Sequence, residues 1–458
     1  MKVTANDLRN HLRRTPRIGG AELCRLLKGI NRSTLARLVG QIDHEVIRRG
    51  GSRRSRYALR RALRGRSDSL PLYRIDADGA GHVLGRLDLT YPAGSALSLS
   101  EPLVWPLDAG EMSDGWFEGL PYPLLDMKPQ GFLGRNFAHV HWQALEVPEN
   151  LNDWSDDDVV HVLATCGYDQ SGDLILGDRA YQRYLDVRRD WESRLIRADQ
   201  LDTEYPEQAR LALAQGVAGS SAAGEFPKFT AMREIEGEPV AVIVKFSGTD
   251  SAAAVRRWAD LLVCEHLALE TLPVELGIAA AKSVIRQHGG RTFLEVVRFD
   301  RCGAHGRLPL CSMASINGTL LGAAGSSWPV VAKALYRIHW LAAEGLSQIN
   351  RLWWFGKLIA NTDMHEGNLS FQPGPVLAVA PAYDLLPMLY APLRGGEVPP
   401  QKFTAALPLP SEAEAWRPAA KAAIAYWTRC AADKRISETF RAICSENAAF
   451  LARAAERY

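Results

Sequence analysis

Cysteine is scarce in this chain. Seven residues in 458 (positions 24, 166, 264, 302, 311, 430 and 444) are odd in number, scattered, and without a C-x-x-C pair. That usage argues against a disulfide framework or a zinc knuckle and for a reducing, cytoplasmic setting, with nucleoid association open. Long apolar runs are missing too. None approaches the roughly 18 residues of a membrane span, so no membrane partner is expected. The start, Met1-Lys2-Val3-Thr4-Ala5-Asn6-Asp7, has no apolar core of a signal peptide. A G-x-S-x-G elbow and a Walker A loop are absent, which leaves no motif for a serine hydrolase or a P-loop NTPase. No repeat of solenoid period is visible. What remains is ordinary soluble composition, 47% hydrophobic and 23% charged, long enough for about three domains.

Net charge is also small, +2, but it is unevenly spread. Residues 1–66 hold 18 Lys/Arg against 4 Asp/Glu, so the rest of the chain is acidic. A basic module on an acidic body suggests an anionic partner for the small end. Residues 20–27 read as a short helix with Leu23, Leu26 and Leu27 inward, and Gly29-Ile30-Asn31 as a turn. Asn31 can cap a second helix over residues 32–42, with Leu35, Leu38, Val39 and Ile42 inward. Its other face offers Arg32, Ser33, Thr34 and Arg37. Two short strands then flank Gly50-Gly51 amid Arg48, Arg49, Arg53, Arg54 and Arg56. This is the pattern of a winged helix-turn-helix: one helix at base edges and a wing along phosphates of double-stranded DNA. RNA binding and protein docking are the alternatives. Residues 62–69 read as a linker.

Chemistry is concentrated in Asp363-Met364-His365-Glu366-Gly367-Asn368. An Asp five residues before an Asn, with Asp384 following, is a spacing used for phosphoryl transfer. One carboxylate sits at the acceptor hydroxyl; the Asn and the second carboxylate hold Mg2+ on nucleotide phosphates. Lys245 ends an apolar strand, where kinases keep a phosphate-binding lysine, and Glu265 lies 20 residues on in a helix as its potential partner. The small-residue run 216–225 can expose backbone N–H groups to phosphate. Histidines 139 and 141 are expected on a strand, as structural residues rather than metal ligands.

Together these blocks resemble the HipA family of bacterial toxin kinases, most closely its YjjJ branch. The likeness runs from about residue 70 to the end. It rests on Trp116-Phe117-Glu118-Gly119-Leu120-Pro121, on Ser221 seven residues before Lys228, on Val297-Arg298-Phe299-Asp300-Arg301, on the Asp363–Asn368 block and on Tyr383-Asp384. The resemblance implies Asp363 as catalytic base, Asn368 and Asp384 as Mg2+ ligands, and Lys245 on the ATP phosphates. It implies Arg298 and Phe299 at the adenine pocket, His365 ordering the nucleotide-side loop, and Ser221 as an autophosphorylation site. The chain departs from the family in Val297, where a Glu is usual, in Gly367, where a Lys is usual, and at residues 308–312.

The expected fold is α+β: a winged helix-turn-helix (1–66), a β-rich subdomain (70–150), a β-rich kinase N-lobe (151–310) and a helical C-lobe (311–458). The expected activity is ATP- and Mg2+-dependent protein serine/threonine phosphorylation by a DNA-binding toxin. The protein substrate is unidentified, and a separate antitoxin and a homodimer are open as partners. A nucleotide-sensing DNA-binding regulator and a Mg2+-dependent nuclease are the alternatives.

Overall fold

A computed structural model describes residues 3–51, 54–101, 103, 114–214, 226–322 and 325–457. The first helix, α1 (Ala5–Arg14), was not evident in the apolar pattern. It begins in a capping box: the Thr4 hydroxyl accepts the Asp7 N–H, and the Asp7 carboxylate accepts the Thr4 N–H. Leu8 and Leu12 on α1 pack against Leu23, Leu35 and Leu38. Strand β1 (Ile18–Gly19) leads to α2 (Gly20–Leu26), and α3 (Arg32–Gln41) starts where the Asn31 side chain accepts the Thr34 N–H at 2.8 Å. Strands β2 (Val46–Arg49) and β3 (Arg56–Leu59) pair antiparallel, and β1 adds to β3. Helix, turn, helix and hairpin thus occur in the expected order.

The hairpin has two apolar faces because side chains alternate along a strand. Val46 faces the helices, while Ile47 and Ala58 pack on Ala96 and Trp116 of the body. The chain leaving the hairpin is stitched down as well: Arg60 pairs with Asp88 at 3.1 Å and Arg61 with Asp157, and in the expected linker Arg64 pairs with Asp158 at 2.7 Å.

Strands β4 (Leu70–Ile75), β5 (Gly81–Leu89), β6 (Ser95–Leu99) and β7 (Trp116–Phe117) form the middle sheet. Residues 131–145, expected within a β-rich run, are helical instead: α4 (Gly131–Leu145) buries Phe132 and Asn136, four apart. His139 and His141 therefore lie on a helix, and the His139 Nδ1 pairs with Glu149 at 2.7 Å. Nor does the middle unit end at residue 150. After α5 (Asp156–Cys166), strand β8 (Leu174–Leu176) pairs with β4, and α6 (Asp178–Arg189) stacks Tyr181 on Tyr73 at 4.1 Å.

The next sheet runs in the order β12-β13-β11-β10-β9. It contains β9 (Leu195–Ile196), β10 (Lys228–Ile235), β11 (Glu238–Phe246), β12 (Ser283–His288) and β13 (Arg291–Val297). Val242, Val244 and Phe246 of β11 pack under α7 (Leu201–Ala214) with Tyr205, Phe229 and Phe293. The intervening Ile243 and Lys245 line a cleft on the other side. Helix α8 (Ala253–Thr271) covers that side.

A small hairpin, β14 (Arg301–Cys302) with β15 (Gly306–Arg307), leads to β16 (Cys311–Ser312), which pairs with β17 (Ser370–Gln372); β18 (Ala378–Val379) completes that sheet. The C-lobe is built on α9 (Trp328–Arg337), α10 (Ala343–Leu358), α11 (Ala413–Ala432) and α12 (Glu438–Ala455). Between the last two, Ser437 donates from its N–H and hydroxyl to Asp260. Phe450 of α12 is 36% exposed. Residues 359–412 are mostly irregular and carry the Asp363–Asn368 loop and Asp384. No helix among the described residues is long and apolar enough to cross a membrane.

One buried acid makes a testable point about this frame. Asp173 is 5% exposed, one of its carboxylate oxygens has no partner, and burial raises its pKa to about 6. An unfolded Asp titrates near 4. The folded state therefore holds the extra proton between about 4 and 6, so stability falls as pH rises through that window and the cost persists above it. Asp173→Asn should raise stability by roughly 2–3 kcal/mol at pH 7.5 and by little at pH 4 in urea melts. Equal effects at both pH values would contradict this origin.

Candidate active site

The cleft between the β11 sheet and the helical lobe has a volume of about 370 Å3. On its upper wall, the Lys245 ammonium donates to both oxygens of Glu265, at 2.7 and 2.8 Å, and also pairs with Asp384. The pairing of β11 with a helix running back across it makes this contact local to the fold: Glu265 is on α8, 1% exposed, and Lys245 is 6% exposed. Two buried charges this close satisfy each other at a desolvation cost. Burial raises Glu265 above the usual carboxyl range despite Lys245. Loss of water also favours a neutral Asp384, but the Lys245 ammonium outweighs it and holds that carboxyl down at about 2.

The lower wall follows α10. Asn361, 3% exposed, accepts the Asp363 N–H at 3.0 Å and donates to the Asp384 carbonyl at 3.4 Å. It thereby ties the two acids of the site together. Asn368 Nδ2 donates to the Asp363 carbonyl at 2.8 Å, so its amide oxygen is left for another partner. The Asp363 side chain is 53% exposed, and His365 Nε2 lies 3.9 Å from its carboxylate. Asp384 takes a left-handed backbone, φ +52°, a conformation tolerated by Asp better than by most residues. Tyr383 donates to the Gly367 carbonyl at 2.8 Å, and the Trp328 indole to the His365 carbonyl at 3.0 Å, which fixes the loop from both sides.

Gly367 has a reason of its own. Its N–H donates to His365 Nδ1 at 3.0 Å, and a Cβ at this position would lie 2.9 Å from the imidazole. Lacking a side chain, the position lets the ring fold back over the loop. The nitrogen left to carry the ring proton is Nε2, the one nearest Asp363.

At residues 294–301, where a hinge between the lobes would lie, Phe299 and Arg298 both line the cleft. The Arg298 guanidinium is committed to Asp300, through two 3.0 Å bonds, and to Asp169 at 3.1 Å. Glu295 does not stand in for the family Glu replaced by Val297. It points under α7, where Tyr205 donates to it and Arg233 pairs with it at 3.0 Å.

The structure thus brings Lys245, Glu265, Arg298, Phe299, His365, Asn368 and Asp384 to one cleft, with Asp363 on the same loop. Ser221 and the run 216–225 lie outside the described residues, as does Arg53. Sequence reasoning missed Asn361, Tyr383 and Trp328 as supports of the loop. Asn361 was legible as a polar residue two before the Asp; the other two are distant aromatics.

On the N-terminal module, Arg32, Ser33, Arg37, Arg48, Arg54 and Arg56 are exposed and Thr34 is partly so. Arg49 is different. It is half-buried beside Gly115 of the middle unit, and burial lowers its pKa.

Residues 66–185 match the family model for the middle domain of YjjJ-like toxins, and residues 220–449 that for the HipA-like C-terminal domain. Toxin YjjJ of Escherichia coli (strain K12) is 36% identical over 419 residues, 91% of each chain. Among solved structures, the HipA of Shewanella oneidensis MR-1, in a complex with HipB and operator DNA, superposes with a TM-score of 0.53 at 16% identity. That match covers 85% of this chain and 97% of the other. The Helicobacter pylori proinflammatory kinase CtkA matches 51% of this chain and 92% of its own at 12% identity, with a TM-score of 0.35. The matched domains and the full-length relative make this chain a member of the HipA family of toxins, on its YjjJ-like branch.

Proposed function

We propose that this protein is an ATP- and Mg2+-dependent serine/threonine kinase that phosphorylates a protein partner and itself, and that residues 1–66 bind double-stranded DNA. The observation that carries the first half is the meeting of Lys245, Glu265 and Asp384 above a loop bearing Asp363 and Asn368. The donor set fits Mg2+: carboxylate oxygen from Asp384 and the free amide oxygen of Asn368 are hard ligands, and two of them suffice when phosphates and water supply the rest. When bound, the ion would neutralise charge on the transferring phosphoryl group. Lys245 would turn from Asp384 to the nucleotide phosphates, with Glu265 holding it in place. Asp363, its carboxylate open to solvent, would orient the acceptor hydroxyl and take its proton. Phe299 and Arg298 would border the base. Ser221 is the proposed self-modified residue, and phosphosite mapping after incubation with ATP and Mg2+ tests it.

The DNA half is supported by the exposed polar end of α3 and by the arginines of the hairpin. HipA of Shewanella oneidensis was solved with HipB and operator DNA, and here a basic module in the same chain would bind an operator in place of a separate antitoxin's DNA-binding domain. A separate antitoxin and a second copy of the chain remain partners to test by size-exclusion on DNA. Replacing Arg53, Arg54 and Arg56 by Ala should flatten the slope of log K against log salt by roughly one per lost phosphate contact. Arg49→Ala, by contrast, should leave that slope unchanged. An unaltered slope in the triple variant would remove the hairpin from the DNA interface.

A nucleotide-sensing regulator is the second reading. It is favoured by the direct bond from Lys245 to Asp384, which engages a proposed metal ligand.

A further inference from the structure

Behind the hinge, on the α7 side of the sheet, lies a second cavity of about 600 Å3. Its walls come from α6, α7, the sheet and the β14–β15 hairpin. Five arginines line it: Arg188, Arg194, Arg298, Arg301 and Arg307. Two of these are neutralised. Asp300 pairs with Arg298 and Arg301 at 3.0 and 2.8 Å, and Asp169 with the same two at 3.1 and 2.8 Å. Arg188, Arg194 and Arg307 make no ion pair among the described residues. Against them the lining offers one further acid, Glu204, and Asp173 lies near Arg307.

Arg307 is the informative member. It is 4% exposed, sits 4.9 Å over the Tyr184 ring, and gives one terminal nitrogen to the Tyr168 carbonyl. The other, Nη1, is buried with no hydrogen-bond partner. Burial, and then repulsion from Arg301, push its pKa down to about 9. A guanidinium does not give up its proton in a protein. Nη1 therefore stays a charged donor, buried and without a hydrogen-bond partner. Leaving a buried charged donor without a hydrogen-bond partner is costly, and this one lines a cavity of ligand size.

We infer that this cavity binds a phosphorylated small molecule, with its phosphate at Arg188, Arg194 and Arg307 and the remainder against Trp191 and Tyr184. Guanidinium forks recognise phosphate by paired charge-assisted bonds, and the aromatic rings provide flat apolar wall. Arg298 lines both this cavity and the catalytic cleft, so the site adjoins the hinge. Nothing in it depends on catalysis by the front cleft.

Titration calorimetry of the full chain with inorganic pyrophosphate, at constant ionic strength, tests the site. Saturable binding is expected, weakened at least tenfold by Arg194→Ala and by Arg188→Ala. Arg307→Gln probes the buried donor; because that variant can misfold, the exposed Arg194 and half-buried Arg188 carry the test. Arg189→Ala, on an exposed neighbour paired with Asp186, should bind as the unaltered chain does. The site is refuted by absence of saturable binding, by binding that ignores Arg188 and Arg194, or by an equal loss in Arg189→Ala, which would mean surface charge alone.

Discussion

Asp363→Asn is expected to cut phosphoryl transfer at least about a hundredfold, the lower range for loss of a positioned general base. It should leave the thermal midpoint nearly unchanged, because the carboxylate is half exposed and lies 3.9 Å from the His365 ring. The backbone contacts of Asp363, its N–H to Asn361 and its carbonyl to Asn368, survive the substitution. Mutant and parent are compared by transfer from γ-labelled ATP and by thermal melts on the same preparations. Parent-like transfer would take Asp363 out of the chemistry. Asp384→Asn should fail differently, with the Mg2+ needed to support nucleotide binding rising, and Asn retains tolerance of the left-handed backbone.

Lys245→Ala should have the largest effect on stability. Removing the ammonium strands Glu265, 1% exposed, without its partner, and breaking one side of a buried pair costs about 3–5 kcal/mol. That is a large part of the stability a domain commonly has. Lys245→Met with Glu265→Leu should recover most of the loss, since an apolar pair of similar volume removes both charges. Neither variant should transfer phosphate. Urea melts of the single and double variants check this. A single variant as stable as the parent would mean that Glu265 is satisfied by something other than Lys245.

These effects were only partly legible in the sequence. The Lys245–Glu265 pair could be read because a strand and a helix at that spacing leave few choices. The Asp363–Asn368 loop could be read because its residue types are chemically specific. The two short helices at residues 20–26 and 32–41 could be read because Leu23, Leu35 and Leu38 mark their inner faces and Asn31 the cap of the second. What escaped was set by tertiary context. The helix at 131–145 mixes small, aromatic and polar residues without a clean stripe, so short-range alternation suggested strands. The end of the middle unit was misplaced because β8 is only three residues long and finds β4 across a hundred residues of chain. The turn of Arg49 toward the body could not be told from its neighbours, because a strand places successive arginines on opposite faces and only the packing of Ile47 on Trp116 says which face is covered. Arg298 was expected at the base pocket; its bonds to Asp300 and Asp169 also make it the hinge's own clamp.

The central claim is that the cleft transfers phosphate from ATP to a hydroxyl. Its most direct measurement incubates the full chain with γ-labelled ATP and Mg2+ and follows label in the protein, beside Asp363→Asn. Acid-stable label on serine is expected in the parent and next to none in the variant. Nucleotide bound by the parent with no label transferred, to itself or to added cell protein, would contradict it and leave the regulator reading in its place.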